Sequence, residues 1–367
     1  MFYELIELGG PFTVFRYITF RAAAAMVLAL VACYYAYPPL IIRLKRLKVE
    51  QAIRKDGPEA HLENKGGTPT MGGVVMLAGI TMATLLFARL DEPRVWIVLG
   101  VTLGYGLIGF YDDYKKVMEQ SSDGLAGRWK LVGQTGIALA ALGSAYATGV
   151  MDATLHLPFL KHYVIDFAEL WTGAPDWLGW LYVGFGVFVL IGASNAVNLT
   201  DGLDGLAIGS VMTSAGTFAV LAYVAGHATF AEYLLIPYVP GAGEVAVVAL
   251  AVVGAGLGFL WYNCYPAAVF MGDVGSLALG GTLASLAVIT KHEILLALVG
   301  GVFVMETLSV MAQVLYFKAT GGKRLLKMAP IHHHYEKSGW SEPKIIVRFW
   351  IISVLLALVA LATLKLR

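Results

Sequence analysis

The sequence predicts an all-α polytopic membrane protein of about ten transmembrane helices, forming one domain over residues 1–367, and three observations carry that expectation. Of the 367 residues, 58% are hydrophobic and only 14% charged. The mean hydropathy is +0.71, as in a chain largely dissolved in lipid. Apolar stretches nearly free of Asp, Glu, Lys and Arg recur at 22–42, 71–88, 95–111, 131–151, 177–198, 205–226, 245–263, 274–290, 294–317 and 345–364. Each approaches the roughly 20 residues that a helix needs to cross a bilayer. This composition excludes a soluble globular domain, a disordered chain and a fibrous repeat. Cys33 and Cys264 lie far apart in apolar stretches, which excludes a disulfide framework or a cysteine-based zinc site.

The stretches differ in ways that matter. The first lacks a basic leader and a small-residue cleavage site and follows Glu4 and Glu7, so it reads as an uncleaved helix. The ninth contains a single charge, Glu306, which needs a polar neighbour; it either organises a site from behind or stabilises helix packing. The tenth opens with Arg348, which can snorkel to the interface. Basic residues set the orientation. Arg43, Lys45, Arg46, Lys48, Arg54, Lys55 and Lys65 follow the first stretch, and Lys115, Lys116, Arg128 and Lys130 follow the third. Lys318, Lys323, Arg324, Lys327, Lys337, Lys344 and Arg348 follow the ninth. These loops are expected in the cytoplasm, both termini outside (periplasmic), and the segment from Asp152 to Asp176 in an external loop.

Five polar motifs fall on the expected cytoplasmic face. In KGGTPTMGG, residues 65–73, Thr68 or Thr70 is placed to cap the second helix, with Pro69 in its first turn. Such a helix start attracts anions, whereas the glycines alone also suit close helix packing. In FYDDYKK, Asp112 and Asp113 are expected at the C-terminal end of the third helix, where they oppose the helix dipole and repel each other. A bound Mg²⁺, a carboxyl acting as a base, or pairing with Lys115 and Lys116 would each compensate. In NAVNLTDGLDGLA, Asn195, Asn198, Asp201 and Asp204 mark the junction of the fifth and sixth helices; the two acids would share a face if that segment is helical. In WYNCYPAAVFMGDVGS, Asn263 and Asp273 bracket an apolar hairpin with Phe270, and Asp273 is either an N-cap or a metal ligand. In MAPIHHHYEKSGWSEPK, His332, His333 and His334 cannot readily all face one metal, so a phosphate-contacting or proton-handling role suits them better. The other five histidines, His61, His156, His162, His227 and His292, are expected to be structural or incidental.

Acids for a hard cation, basic residues for anions, glycine-flanked helix starts and a histidine cluster on one membrane face describe phosphoryl transfer to a lipid acceptor. No Walker loop or GxGxxG occurs, so a nucleotide would be a substrate held by other means. A secondary transporter is the rival from another class, but such proteins usually show paired repeats and midplane sites, and no repeat is visible here.

From about residue 20 to its C-terminus the chain resembles the polyprenyl-phosphate N-acetylhexosamine-1-phosphate transferase superfamily. The resemblance rests on DDYKK at 112–116, NLTDGLDG at 198–205 and FMGDVGS at 270–276. KGGTPTMGG at 65–73 and PIHHHYEKSGWSEPK at 330–344 are more specific to its muramyl-pentapeptide branch. That branch implies transfer of phospho-MurNAc-pentapeptide from UDP-MurNAc-pentapeptide to undecaprenyl phosphate, giving lipid I and UMP, with Mg²⁺ required. A sister enzyme acting on a GlcNAc-1-phosphate donor is the alternative. The resemblance also implies a ten-helix homodimer in the bacterial cytoplasmic (inner) membrane, with the lipid bilayer and the two substrates as its partners and no nucleic acid. By matching motif, Asp273 is a Mg²⁺ ligand, and Asp112 and Asp113 lie at the diphosphate and lipid-phosphate site. Lys65, Asp201, Asn263 and Phe270 match the nucleoside pocket, with Asn198 in the same substrate-binding set. Thr70, Lys116, Lys130, Asp204 and His332 match the catalytic cleft, with His333 and His334 beside it.

Overall fold

The computed structural model describes residues 1–47, 49, 67–119, 124–158, 164–170 and 175–365. Lys65 lies outside the described residues, as do His61 and His162. After two short 3₁₀ turns, the chain forms α1 (Ile18–Arg46), α2 (Gly73–Phe87), α3 (Pro93–Glu119) and α4 (Gly127–Ala147). A two-stranded antiparallel hairpin, β1 (Thr154–His156) and β2 (Val164–Asp166), pairs Leu155 with Ile165 within the expected external loop. Then come α5 (Gly179–Thr200), α6 (Leu206–Ala225), α7 (Ala228–Leu234), α8 (Val245–Asn263) and α9 (Gly272–Ile289). The chain ends with α10 (Glu293–Val299), α11 (Gly301–Ala319), α12 (Ile331–Glu336) and α13 (Glu342–Thr363).

All ten apolar stretches map onto helices, and among the described residues eight helices are long and apolar enough to cross a membrane. Three of the ten stretches depart from a single long apolar helix. The second stretch forms α2, whose 15 residues rise only about 22 Å against a hydrocarbon core of about 30 Å. The fourth, α4, carries Arg128 and Lys130 in its first turn and Gln134 and Thr135 just beyond, and is not among the eight. The ninth breaks at Gly300 into the seven-residue α10 and the 19-residue α11.

The centre of the bundle is α9, buried at every residue from Val274 to Ile289. A helix apolar on all sides belongs in the interior, and small residues let its neighbours come close. A Cβ added to Gly109 on α3 would lie 2.1 Å from the carbonyl oxygen of Asp273, and one on Gly73 would lie 2.3 Å from the backbone nitrogen of Gly275. Close packing of α3 and α2 against the start of α9 therefore sets where Asp273 sits. At the far end of α2, two buried charges clamp α1 to α8. Arg21 donates to both carboxylate oxygens of Glu244 at 2.6 Å and to the carbonyl of Phe87 at 3.0 Å. The fork-to-fork geometry is what makes so buried a pair tolerable.

Candidate active site

The end of the bundle holding Asp273 gathers most of the motifs. The second helix begins at Gly73, with Gly72 at its N-cap and no side-chain cap, so neither Thr68 nor Thr70 caps it and Pro69 lies before its first turn. Residues 69–73 instead pair with the strand-like approach to α9. The N–H of Phe270 donates to the Pro69 carbonyl at 2.8 Å, and Gly72 and Gly73 donate to Phe270 and Met271 at 2.9 and 2.8 Å. This ladder seats the buried Thr70 beside Gly272, whose φ of 74° suits glycine. A side chain at Gly272 would lie 2.3 Å from Oδ2 of Asp113 and 3.0 Å from the Thr70 hydroxyl.

Asp112 and Asp113 are not at a helix C-terminus. Helix α3 runs on to Glu119, and both carboxylates are buried within it at 0% and 3% exposure. The helix dipole thus acts on them weakly, since its effect is confined to the last turn. Asp273 occupies the second residue of α9, whose N-cap is Met271 without a side-chain bond, so its carboxylate does not cap the helix. Ligand oxygens of Asp112, Asp113 and Asp273 all lie within 4.8 Å of one another. Two lysines knit them together. Lys116 Nζ stands 2.5 Å from Asp112, 3.3 Å from Asp273 and 3.7 Å from Asp113. Lys130 Nζ, from the first turn of α4, stands 2.6 Å from Asp273 and 3.0 Å from Asp112. Backbone donors complete the cluster, Leu125 N–H to Asp112 at 2.7 Å and Val274 N–H to Asp113 at 3.2 Å. Three carboxylates against two ammonium groups leave a surplus negative charge. An all-oxygen, net-negative donor set at this spacing fits a hard divalent cation that also takes substrate phosphate oxygens.

A second group of residues surrounds the turn between α5 and α6. Asp201 and Asp204 do not share a helix face, because α5 ends at Thr200 and α6 starts at Leu206. The intervening turn is held from several sides. Asp204 accepts the Ala267 N–H at 2.9 Å, and its own N–H donates to Glu342 at 3.2 Å. Asn263 is buried with both amide ends engaged, accepting from Gly205 N–H and donating to the Val269 carbonyl, each at 2.9 Å. Phe270 is half-buried. Asn198 accepts from Ser276 Oγ at 2.7 Å, one helical turn along α9 from Asp273, which ties this turn to the carboxylate cluster.

The three histidines take different partners, although the ring centroids of His332 and His333 lie 4.1 Å apart. His332 is fully buried, with Nδ1 3.0 Å from Oε2 of Glu306, and its Nε2 would lie 2.3 Å from a Cβ on Gly202. His333 pairs with Glu336 at 3.0 Å, and His334 Nδ1 accepts the Lys327 N–H at 3.1 Å. His332 faces the α5–α6 turn at Gly202. Sequence reasoning missed Gln134, whose buried amide accepts from Asn195 and donates to Ser194, each at 3.0 Å, and Ser276. A polar side chain in an apolar helix was the available signal for both.

The fold and this acidic, lysine-bridged site define a polytopic membrane transferase, and the model of glycosyl transferase family 4 matches residues 95–291. The phospho-N-acetylmuramoyl-pentapeptide-transferase of Syntrophus aciditrophicus (strain SB) is 54% identical over 367 residues, covering 100% of this chain and 99% of that protein. The enzymes of the same name from Rhodopseudomonas palustris (strain BisB18) and Desulfotalea psychrophila (strain LSv54 / DSM 12343) are 53% and 52% identical, each over 100% of both chains. The chain belongs to the phospho-N-acetylmuramoyl-pentapeptide-transferase family.

Proposed function

We propose that this protein transfers phospho-MurNAc-pentapeptide from UDP-MurNAc-pentapeptide to undecaprenyl phosphate, forming lipid I and releasing UMP. What carries the reading is the full-length identity to enzymes of that name, joined to a cluster of three carboxylates and two lysines built for phosphate chemistry. A secondary transporter has no such support.

Asp112, Asp113 and Asp273 are the residues that would hold Mg²⁺, with Asp273 the principal ligand. The ion, when bound, neutralises charge on the diphosphate. Lys116 and Lys130 orient the phosphates and balance the charge that develops during transfer. The acceptor phosphate oxygen attacks the β-phosphorus, a new P–O bond forms, and the bond to the α-phosphate oxygen breaks to release UMP. The nucleophile is already anionic, so positioning and screening matter more than activation. Asp112 takes the proton if the lipid phosphate carries one. A two-step route through a covalent aspartyl-phosphate on Asp113 or Asp112 is the competing mechanism.

Lys65, Asn198, Asp201, Asn263 and Phe270 are assigned to the nucleoside side, and Thr70, Asp204, His332, His333 and His334 to the cleft. The engaged amide of Asn263 suits shaping that pocket. The asymmetry of basic loops supports a cytoplasmic active site and periplasmic termini in the bacterial inner membrane. A homodimer follows from family resemblance.

The test is UMP release by purified protein with undecaprenyl phosphate and Mg²⁺, comparing UDP-MurNAc-pentapeptide with UDP-GlcNAc. Lipid-dependent UMP from the muramyl donor alone is expected. Turnover of UDP-GlcNAc would reassign the donor to the sister reaction.

A further inference from the structure

Glu306 is the single acid in the apolar run of α11 and is 0% exposed. Its one ion-pair partner among the described residues is His332, also 0% exposed, on the separate helix α12. A carboxylate left charged and unmatched at this depth would be strongly unfavourable. An imidazolium against the Glu306 carboxylate keeps the pair net neutral and carries a proton on Nε2 as well as on Nδ1. Nε2 has no hydrogen-bond partner among the described residues. It packs against the Gly202 backbone, where only the lack of a side chain makes room for the ring. A buried donor without an acceptor is a costly arrangement unless something else supplies the acceptor. The turn facing the ring carries the acids Asp201 and Asp204, and the titratable neighbour on its own helix is His333, whose ring centroid lies 4.1 Å away.

We propose that Glu306 is a positioning residue, which holds His332 through Nδ1 so that Nε2–H is presented as a donor to an anionic phosphate oxygen of the nucleotide-sugar diphosphate. The inference rests on the transferase reading above. It separates the two roles that the sequence leaves open for Glu306: the acid acts through His332 and is not there for packing. A carboxylate behind a histidine fixes both ring orientation and tautomer, and loss of such a supporting partner typically costs about 10- to 100-fold in activity.

The experiment compares wild type, Glu306→Gln, His332→Asn and the double variant by steady-state kinetics with UDP-MurNAc-pentapeptide. ¹⁵N-histidine NMR reads His332 directly, its signal assigned by its loss in His332→Asn. Expected are a proton on Nε2 in wild type, a kcat about 10- to 100-fold lower in Glu306→Gln with little change in KM, and no further loss when Glu306→Gln is added to His332→Asn. Gln matches Glu in shape, and an unchanged thermal unfolding midpoint in detergent shows that the fold is intact. A bare Nε2 in wild type, wild-type kinetics in Glu306→Gln, or losses that add in the double variant would overturn the proposal. Wild type that turns over no muramyl donor would instead sink the transferase reading, while NMR would still report on the dyad.

Discussion

Lys130 Nζ lies 2.6 Å from Oδ2 of Asp273, so the first turn of α4 is tied to the first turn of α9 through the centre of the acidic cluster. The same ammonium reaches Asp112 at 3.0 Å, so one side chain serves two carboxylates. Replacing Lys130 by Met removes one of two charges balancing three. The expected result is a kcat about 10²- to 10³-fold lower, the loss typical of removing one preorganised donor. Residual activity should reach half-maximum at a lower Mg²⁺ concentration, because an ammonium competing for Asp273 is gone. Unchanged kcat, read from UMP release, would remove Lys130 from the site.

Asp273→Asn leaves two carboxylates facing Lys116 and Lys130, so the cluster becomes neutral and loses its pull on a cation. Turnover should fall at least about 100-fold, as several kcal/mol of charge stabilisation is forfeited. Wild-type-like activity at saturating Mg²⁺ would count against Asp273 as the principal ligand.

Gly109→Ala tests whether packing sets the site. The new methyl would meet the Asp273 carbonyl at 2.1 Å, and backbone on backbone cannot yield cheaply. Destabilisation of about 1–3 kcal/mol is expected, with lowered activity as Asp273 is displaced. On the same helix, a methyl at Gly100 meets nothing within 4 Å, so Gly100→Ala should be neutral or stabilising. Thermal unfolding of both variants in one detergent makes the comparison; equal midpoints would refute the packing argument.

At the opposite end of the bundle, Glu293, the first residue of α10, is 3% exposed and receives a hydrogen bond from the Tyr182 hydroxyl. Burial pushes its carboxyl up to about 7 from the ordinary 4.5. The folded chain therefore holds this proton more tightly than the unfolded chain. The stability it contributes is complete below pH 4.5 and is lost as the pH rises through about 7. Between pH 6 and 8 the loss should be about 1 kcal/mol. Glu293→Gln keeps the acceptor for Tyr182 and should flatten that part of the pH dependence of the unfolding midpoint. An equal fall in both proteins would assign it to other groups.

Much of this was legible in the chain because membrane insertion depends on local composition. The ten apolar stretches became helices, and the acids singled out at 112, 113 and 273 came together. Errors arose where a local rule met a tertiary partner. Asp112 and Asp113 were expected at a helix end because the apolar run stops there, yet α3 continues because Lys116 and Lys130 compensate their charge inside the bundle. Thr70 looked like a helix cap, but a backbone ladder to Phe270 serves that end of α2. Asp201 and Asp204 had helical spacing, but Asn263 and Glu342 hold their segment as a turn.

The sequence by itself determined the membrane class, the approximate spans and the residue types of the site, since hydropathy and charge act residue by residue on transfer into lipid. Only the tertiary structure decided which charges meet: Arg21 with Glu244 across 223 positions, Lys130 with Asp273 across 143, His332 with Glu306 across 26. The physical reason is that a buried charge is tolerable only beside its partner, and that partner is chosen by how helices pack, which no local window of the chain contains.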